Sequence, residues 1–88
     1  MSMSAIITAH ANVQSADKAM LAGKAVLAQR KQELRAARFE QADAFSVRRA
    51  EARVLLQQGR VNKLEAELKA AQREYRKVES EVRVSRIK

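Results

Sequence analysis

The stretch VRRAEARVLLQQGRVNKLEAELKAAQREYRKVESEV, residues 47–82, decides the fold. Val47, Val54, Val61, Leu68, Tyr75 and Val82 recur every seven residues without a gap, and Ala50, Leu64, Ala71 and Val78 stand three positions further on. Only Gln57 and Ser85 interrupt that second series. An apolar repeat averaging 3.5 residues keeps one stripe of a helix facing a partner along its whole length, which is what a coiled coil requires. With the first series as a and the second as d of a heptad abcdefg, the ten apolar residues named form the expected coiled-coil interface. A helix over about residues 47–85 is roughly 60 Å long at 1.5 Å per residue, too long for one short partner to cover.

Gly59 resembles a helix stop, yet Val54 and Val61 stay in phase across it. Two helices joined by a turn have no reason to share one register, so the phase predicts a single helix with Gly59 on its outer f position, at a cost of about 1 kcal/mol relative to Ala. Leu34 and Val47, by contrast, are thirteen residues apart, which no whole number of heptads reproduces. The phase breaks near Gln41-Ala42-Asp43-Ala44-Phe45-Ser46, where Asp43 or Ser46 is placed to cap a second helix. An antiparallel hairpin of unequal arms is the favoured reading, over a stutter within one long helix. Phe39 and Phe45 read as core or turn residues.

Before the break, a first helix is expected over about residues 17–41. Met20, Leu27 and Leu34 recur every seven residues, while Ala16, Ala19, Ala22, Ala25 and Ala28 with Gly23 make a smooth face that another backbone can approach closely. Arg30 takes the core-type position between Leu27 and Leu34, so this segment is a poor seam alone and needs a partner. Residues 1–16 hold no Asp, Glu, Lys or Arg. That shift in composition predicts a frayed or flexible leader, able to turn helical through Ala9 to Val13, ahead of a helical domain over 17–88, with a signal-peptide-independent export signal as the sharper reading.

Charge placement says more than the net +8 that 18 Lys+Arg and 10 Asp+Glu produce. Every acid after Val47 flanks the seam, Glu51, Glu65 and Glu79 at e and Glu67, Glu74 and Glu81 at g. The b, c and f positions carry Arg48, Arg49, Lys63, Lys69, Arg73, Arg76, Lys77 and Arg83 and no acid, a basic outer face. Pairs such as Glu65–Lys69 and Glu79–Arg83 fit i,i+4 geometry. In a parallel homodimer Arg60–Glu65 and Glu81–Arg86 attract but Glu74 repels Glu79, whereas an antiparallel one centred near Glu67 sets Arg53 against Glu81 and Arg60 against Glu74 and repels only at the centre, so the flanks lean antiparallel. Arg30, Lys31, Arg35 and Arg38 of the first helix are equally able to lie against the acidic flanks within one chain. Leu55 and Leu56 fall outside the seam and call for a further interface.

Catalysis needs reactive groups converging in a concave pocket, and a chain with one His, no Cys and no Gly-rich loop is not expected to be an enzyme or to hold a cofactor. His10 has no second His, Asp or Glu near it in sequence, so no metal site is expected there. No apolar run approaches the ~20 residues of a membrane span. The lack of Cys is compatible with a reducing cytoplasm, the expected location.

The expected function is therefore that of a coiled-coil interaction protein, oligomeric or bound to a helical or acidic protein partner, serving as adaptor, chaperone or assembly component. The alternative is nonspecific nucleic-acid binding by the basic outer face: eleven Arg suit phosphate contact, but aromatic stacking platforms and an acid-free basic region are both missing. In build, a short Arg/Lys/Glu/Gln-rich coiled coil without catalytic residues resembles the small helical-hairpin adaptors of secretion systems and phage assembly. The likeness is one of architecture and assigns no site residue.

Overall fold

The computed structural model describes residues 3–87. Two helices, α1 (Met3–Phe39) and α2 (Ala44–Ile87), pack antiparallel in a hairpin with extents of 68 × 14 × 14 Å. The phase break between Leu34 and Val47 is thus a turn, and α2 runs unbroken through Gly59 as the continuous heptad predicts.

The turn closes without glycine. Gln41 takes a left-handed φ of 53°, the Ala42 amide donates to the Ala37 carbonyl at 3.0 Å, and the Gln41 amide donates to Arg38 O at 3.3 Å. This is the Schellman pattern, which occupies carbonyls that the end of a helix leaves unpaired. On the other side Asp43 caps α2: its Oδ1 accepts from the Ser46 amide at 2.7 Å, and its carbonyl accepts from Val47 N at 3.1 Å. Of the two expected caps, Asp43 is the one used. The Ser46 amide, followed by the Ser46 hydroxyl, holds the Asp43 carboxyl below the ordinary carboxylate range.

The helix boundaries differ from expectation. α1 begins at Met3 and passes through residue 17 without interruption, so the charge boundary there is not a structural one. Met1 and Ser2 of the expected leader, and Lys88 at the other end, lie outside the described residues. The physical reason is a second heptad. Ile6, Val13, Met20, Leu27 and Leu34 share one interval of seven, Ala9, Ala16, Gly23, Arg30 and Ala37 another, and with Ala5 and Glu33 these are the buried or half-buried residues of α1. The first sixteen residues thus belong to the same packed stripe as the rest. α2 likewise starts at Ala44 and extends to Ile87, beyond the expected 47–85.

Gly23 sets how closely the helices approach. A Cβ there would stand 3.0 Å from Leu64 Cδ1 and 3.5 Å from Val61 Cγ2, and Val61 is the most buried side chain, 2% exposed. The same bare backbone lets Gln57 Nε2 donate to the Gly23 carbonyl at 3.0 Å, while Arg60 donates to Gln57 Oε1 at 3.4 Å. The glutamine that interrupts the apolar d series is therefore buried and paired at both ends of its amide. A single polar pairing within a seam favours one register over its slipped neighbours. Lys24 meets Glu65 at 3.5 Å and Arg38 meets Glu51 at 3.2 Å, which gives the same antiparallel register. Followed along both heptads, it sets Val13 level with Ala71, Ala16 with Leu68 and Leu34 with Ala50. Small faces large at these levels, so the interface fills there despite the alanines. At the open end Ala9, Val78 and Val82 form a cluster with Ala5, Ile6 and Tyr75 against it.

Candidate interaction interface

The ten residues of the expected coiled-coil interface all lie on the buried side of α2: Val61, Leu68, Val78 and Val82 are buried, and Val47, Ala50, Val54, Leu64, Ala71 and Tyr75 are half-buried. What covers them is α1 of the same chain. The seam expected to bind a second chain is filled in the hairpin by α1. Arg30 does not block it: half-buried at the seam's edge, it turns its guanidinium to Glu33 at 3.1 Å.

The eight residues of the expected basic outer face are all exposed. Among the described residues Arg83 forms an ion pair with Glu79, and Arg49 lies 5.8 Å from the centroid of Phe45; the other six make no ion pair. Glu65 pairs with Lys24 across the hairpin instead of with Lys69, because the e position of α2 faces the e position of α1 in this register. These pairs are solvent-exposed and each is worth about 0–1 kcal/mol, so they orient the helices more than they hold them.

Two-helix packing leaves large apolar groups uncovered. Phe39 and Phe45, read from sequence as core or turn residues, stand on the two shoulders of the turn and are 87% and 72% exposed. Both fall at f of their own heptads, two positions before an a in α2 and five after one in α1, and that is the signal that marks them as outward-facing. Leu55 and Leu56 are exposed as their place outside the seam implies, with Ile7, Leu21 and Val26 on α1.

The two flanks of the seam differ. On the e side, Glu51, Glu65 and Glu79 each hold a basic partner. On the g side, Glu67, Glu74 and Glu81 make no ion pair among the described residues, and Glu81 Oε2 is buried without a hydrogen-bond donor. An open groove of about 420 Å³ runs along this side at the free end of the hairpin, between Ala5, Thr8 and Asn12 of α1 and Glu74, Val78 and Glu81 of α2. His10 stacks obliquely on Tyr75, ring centroids 5.6 Å apart, and among the described residues no three His, Cys, Asp or Glu gather as metal ligands would. No described helix is long and apolar enough to cross a membrane.

These features define the class: an all-α antiparallel helical hairpin with a self-filled seam. Comparison with protein-family models, curated proteins and solved structures found no match.

Proposed function

We propose that the chain is a non-enzymatic coiled-coil interaction protein, an adaptor, chaperone or assembly component that docks a protein partner at the tip of its hairpin. The observation that carries this reading is the exposure of Phe39 and Phe45, the chain's only phenylalanines, beside the turn. Aromatic side chains gain most from burial and dominate the energetics of interfaces. A hairpin that leaves both in water, while covering its seam with alanines, places its strongest binding groups where a partner cupping the tip would meet them. Leu55, a few turns away on α2, extends that apolar surface.

The test compares capture of proteins from the native host by the wild-type chain and by a Phe39→Ser/Phe45→Ser variant. A partner retained by the first and lost by the second, with unchanged melting, supports the reading. Equal capture by both sinks it.

A second reading has its own support in the exposed, largely unpaired bases of the outer face: nonspecific binding of nucleic acid. It predicts a gel shift that falls steeply with salt and weakens on charge reversal at Arg73, Arg76 and Lys77. An absence of any shift at low salt refutes it.

A further inference from the structure

We propose that the g-side flank of the hairpin docks a second copy of the same chain, antiparallel, about a twofold axis passing beside Glu67. With the a/d seam filled by α1, the g-side charges of α2 remain on the surface in a self-complementary order. Arg53 and Arg60 precede Glu67 by fourteen and seven residues, and Glu74 and Glu81 follow it by the same intervals. A twofold axis across the helix at Glu67 therefore brings Arg53 of each copy to Glu81 of the other and Arg60 to Glu74, four attractive pairs against the single repulsive one that Glu67 makes with its own copy at the axis. None of the three acids has an ion pair within the chain among the described residues, whereas every e-side acid of α2 does. Glu81 lines the groove with its Oε2 buried and without a donor, and a turn of this carboxylate toward the groove lets such an arginine satisfy it.

Shape agrees with charge. The operation that pairs Arg53 with Glu81 also sets Leu56 level with Val78 of the other copy. Leu56 is 59% exposed and belongs to the same flank, between Arg53 and Arg60 in sequence. Val78 lies in the wall of the 420 Å³ groove, between Glu74 and Glu81. An apolar knob flanked by two bases thus meets an apolar-walled groove flanked by two acids, and symmetry repeats the contact at the other end. Lys77, also in the groove wall, pairs with neither neighbouring acid.

α1 fits the same arrangement. Its g and c positions from Ala5 to Gln29 carry no charge and are mostly Ala, Ser, Thr and Asn, so two copies of α1 can approach closely along this flank. The opposite flank, by contrast, presents an excess of bases, among them Lys31, Arg35, Lys69 and Arg76, and repels its own copy. The uncharged first sixteen residues gain a structural reason: they line a helix–helix contact. A fold that buries only one narrow stripe per helix gains a second buried surface in the same step.

This docking is separate from the tip, so loss of one leaves the other measurable. The test uses two variants, Arg53→Glu/Arg60→Glu, whose flank becomes wholly acidic at these positions, and Glu74→Arg/Glu81→Arg, whose flank becomes basic. Light scattering on the eluting peak is expected to give the mass of two chains for the wild type, one chain for each variant alone, and two chains for their equimolar mixture. A wild-type chain that stays monomeric at its solubility limit overturns the proposal, as does a variant that keeps the two-chain mass or a mixture that stays monomeric. Should a reversal variant lose its helical circular dichroism, Leu56→Asp carries the test: one-chain mass supports the docking, and two-chain mass overturns it.

Discussion

Replacing the two glycines by alanine, one at a time, separates helix propensity from interhelix packing. At Gly59 the added Cβ meets nothing within 4 Å. The change therefore yields the full propensity difference, about 1 kcal/mol in favour of the folded state. For a domain of this size that raises Tm by about 4–8 °C. At Gly23 the propensity gain is the same, but the new methyl group lies 3.0 Å from Leu64 Cδ1 and 3.5 Å from Val61 Cγ2. Either Leu64 leaves its rotamer or the helices move apart, and overpacking of this kind costs about 1–3 kcal/mol. Separation of the helices also stretches the 3.0 Å bond from Gln57 to the Gly23 carbonyl. Gly23→Ala is thus expected to be neutral to destabilised by about 2 kcal/mol, and to melt below Gly59→Ala by a margin of about 1–3 kcal/mol. Thermal and urea unfolding followed by circular dichroism, at one fixed protein concentration because association shifts Tm, measures the difference. Equal stabilisation by both alanines would mean that Gly23 is not a point of close approach, and the helix register would be wrong.

Three further outcomes follow from particular residues. Gln41→Gly relieves a left-handed conformation that costs a residue with a Cβ about 1–2 kcal/mol. Against that stands about 0.4–1 kcal/mol of added freedom in the unfolded chain, so urea unfolding should show a net gain of about 0.5–1 kcal/mol; a loss would contradict the Schellman turn. Asp43→Ala should lower Tm at neutral pH. Because the Asp43 carboxyl is held below the ordinary range in the fold, its contribution is complete above the unfolded value of about 3.9 and is lost as pH falls through the folded one. The wild-type advantage should therefore shrink in acid, and a gap independent of pH would show that the charged cap does not matter. Val61→Asp/Leu68→Asp places two carboxylates at positions 2% and 8% exposed. Each costs several kcal/mol, beyond the stability of a small domain, so helical circular dichroism should collapse; a variant that melts like the wild type would refute an intramolecular seam.

The second helix is legible in the sequence because its apolar residues are bulky and evenly spaced, from Val47 to Val82. The first carries the same repeat, starting at Ile6, but its d positions hold Ala9, Ala16, Gly23, Arg30 and Ala37, which contrast weakly with their surroundings. The charge boundary at Asp17 therefore reads as the edge of a domain although the apolar spacing runs through it. The turn is visible only as a loss of phase, since Gln41 supplies the left-handed residue where glycine is usual. Relative register is a non-local property that neither heptad contains. It follows from Gly23 admitting Val61, Leu64 and the Gln57 amide, a match seen only once the two helices lie together. The same holds for the exposed surfaces. Phe39 and Phe45 are outward because both sit at f, and the g-side acids make no ion pair among the described residues because α1 offers them small uncharged neighbours.

In the hairpin α1 folds back to fill the seam of α2. The most direct measurement is the distance between spin labels at Ala25→Cys and Asn62→Cys, in a chain with no cysteine of its own and diluted with unlabelled protein. The hairpin predicts one short distance, set by helix axes about 8–10 Å apart plus the label arms. A distance of roughly 55 Å, the span of thirty-seven residues of uninterrupted helix, would contradict it.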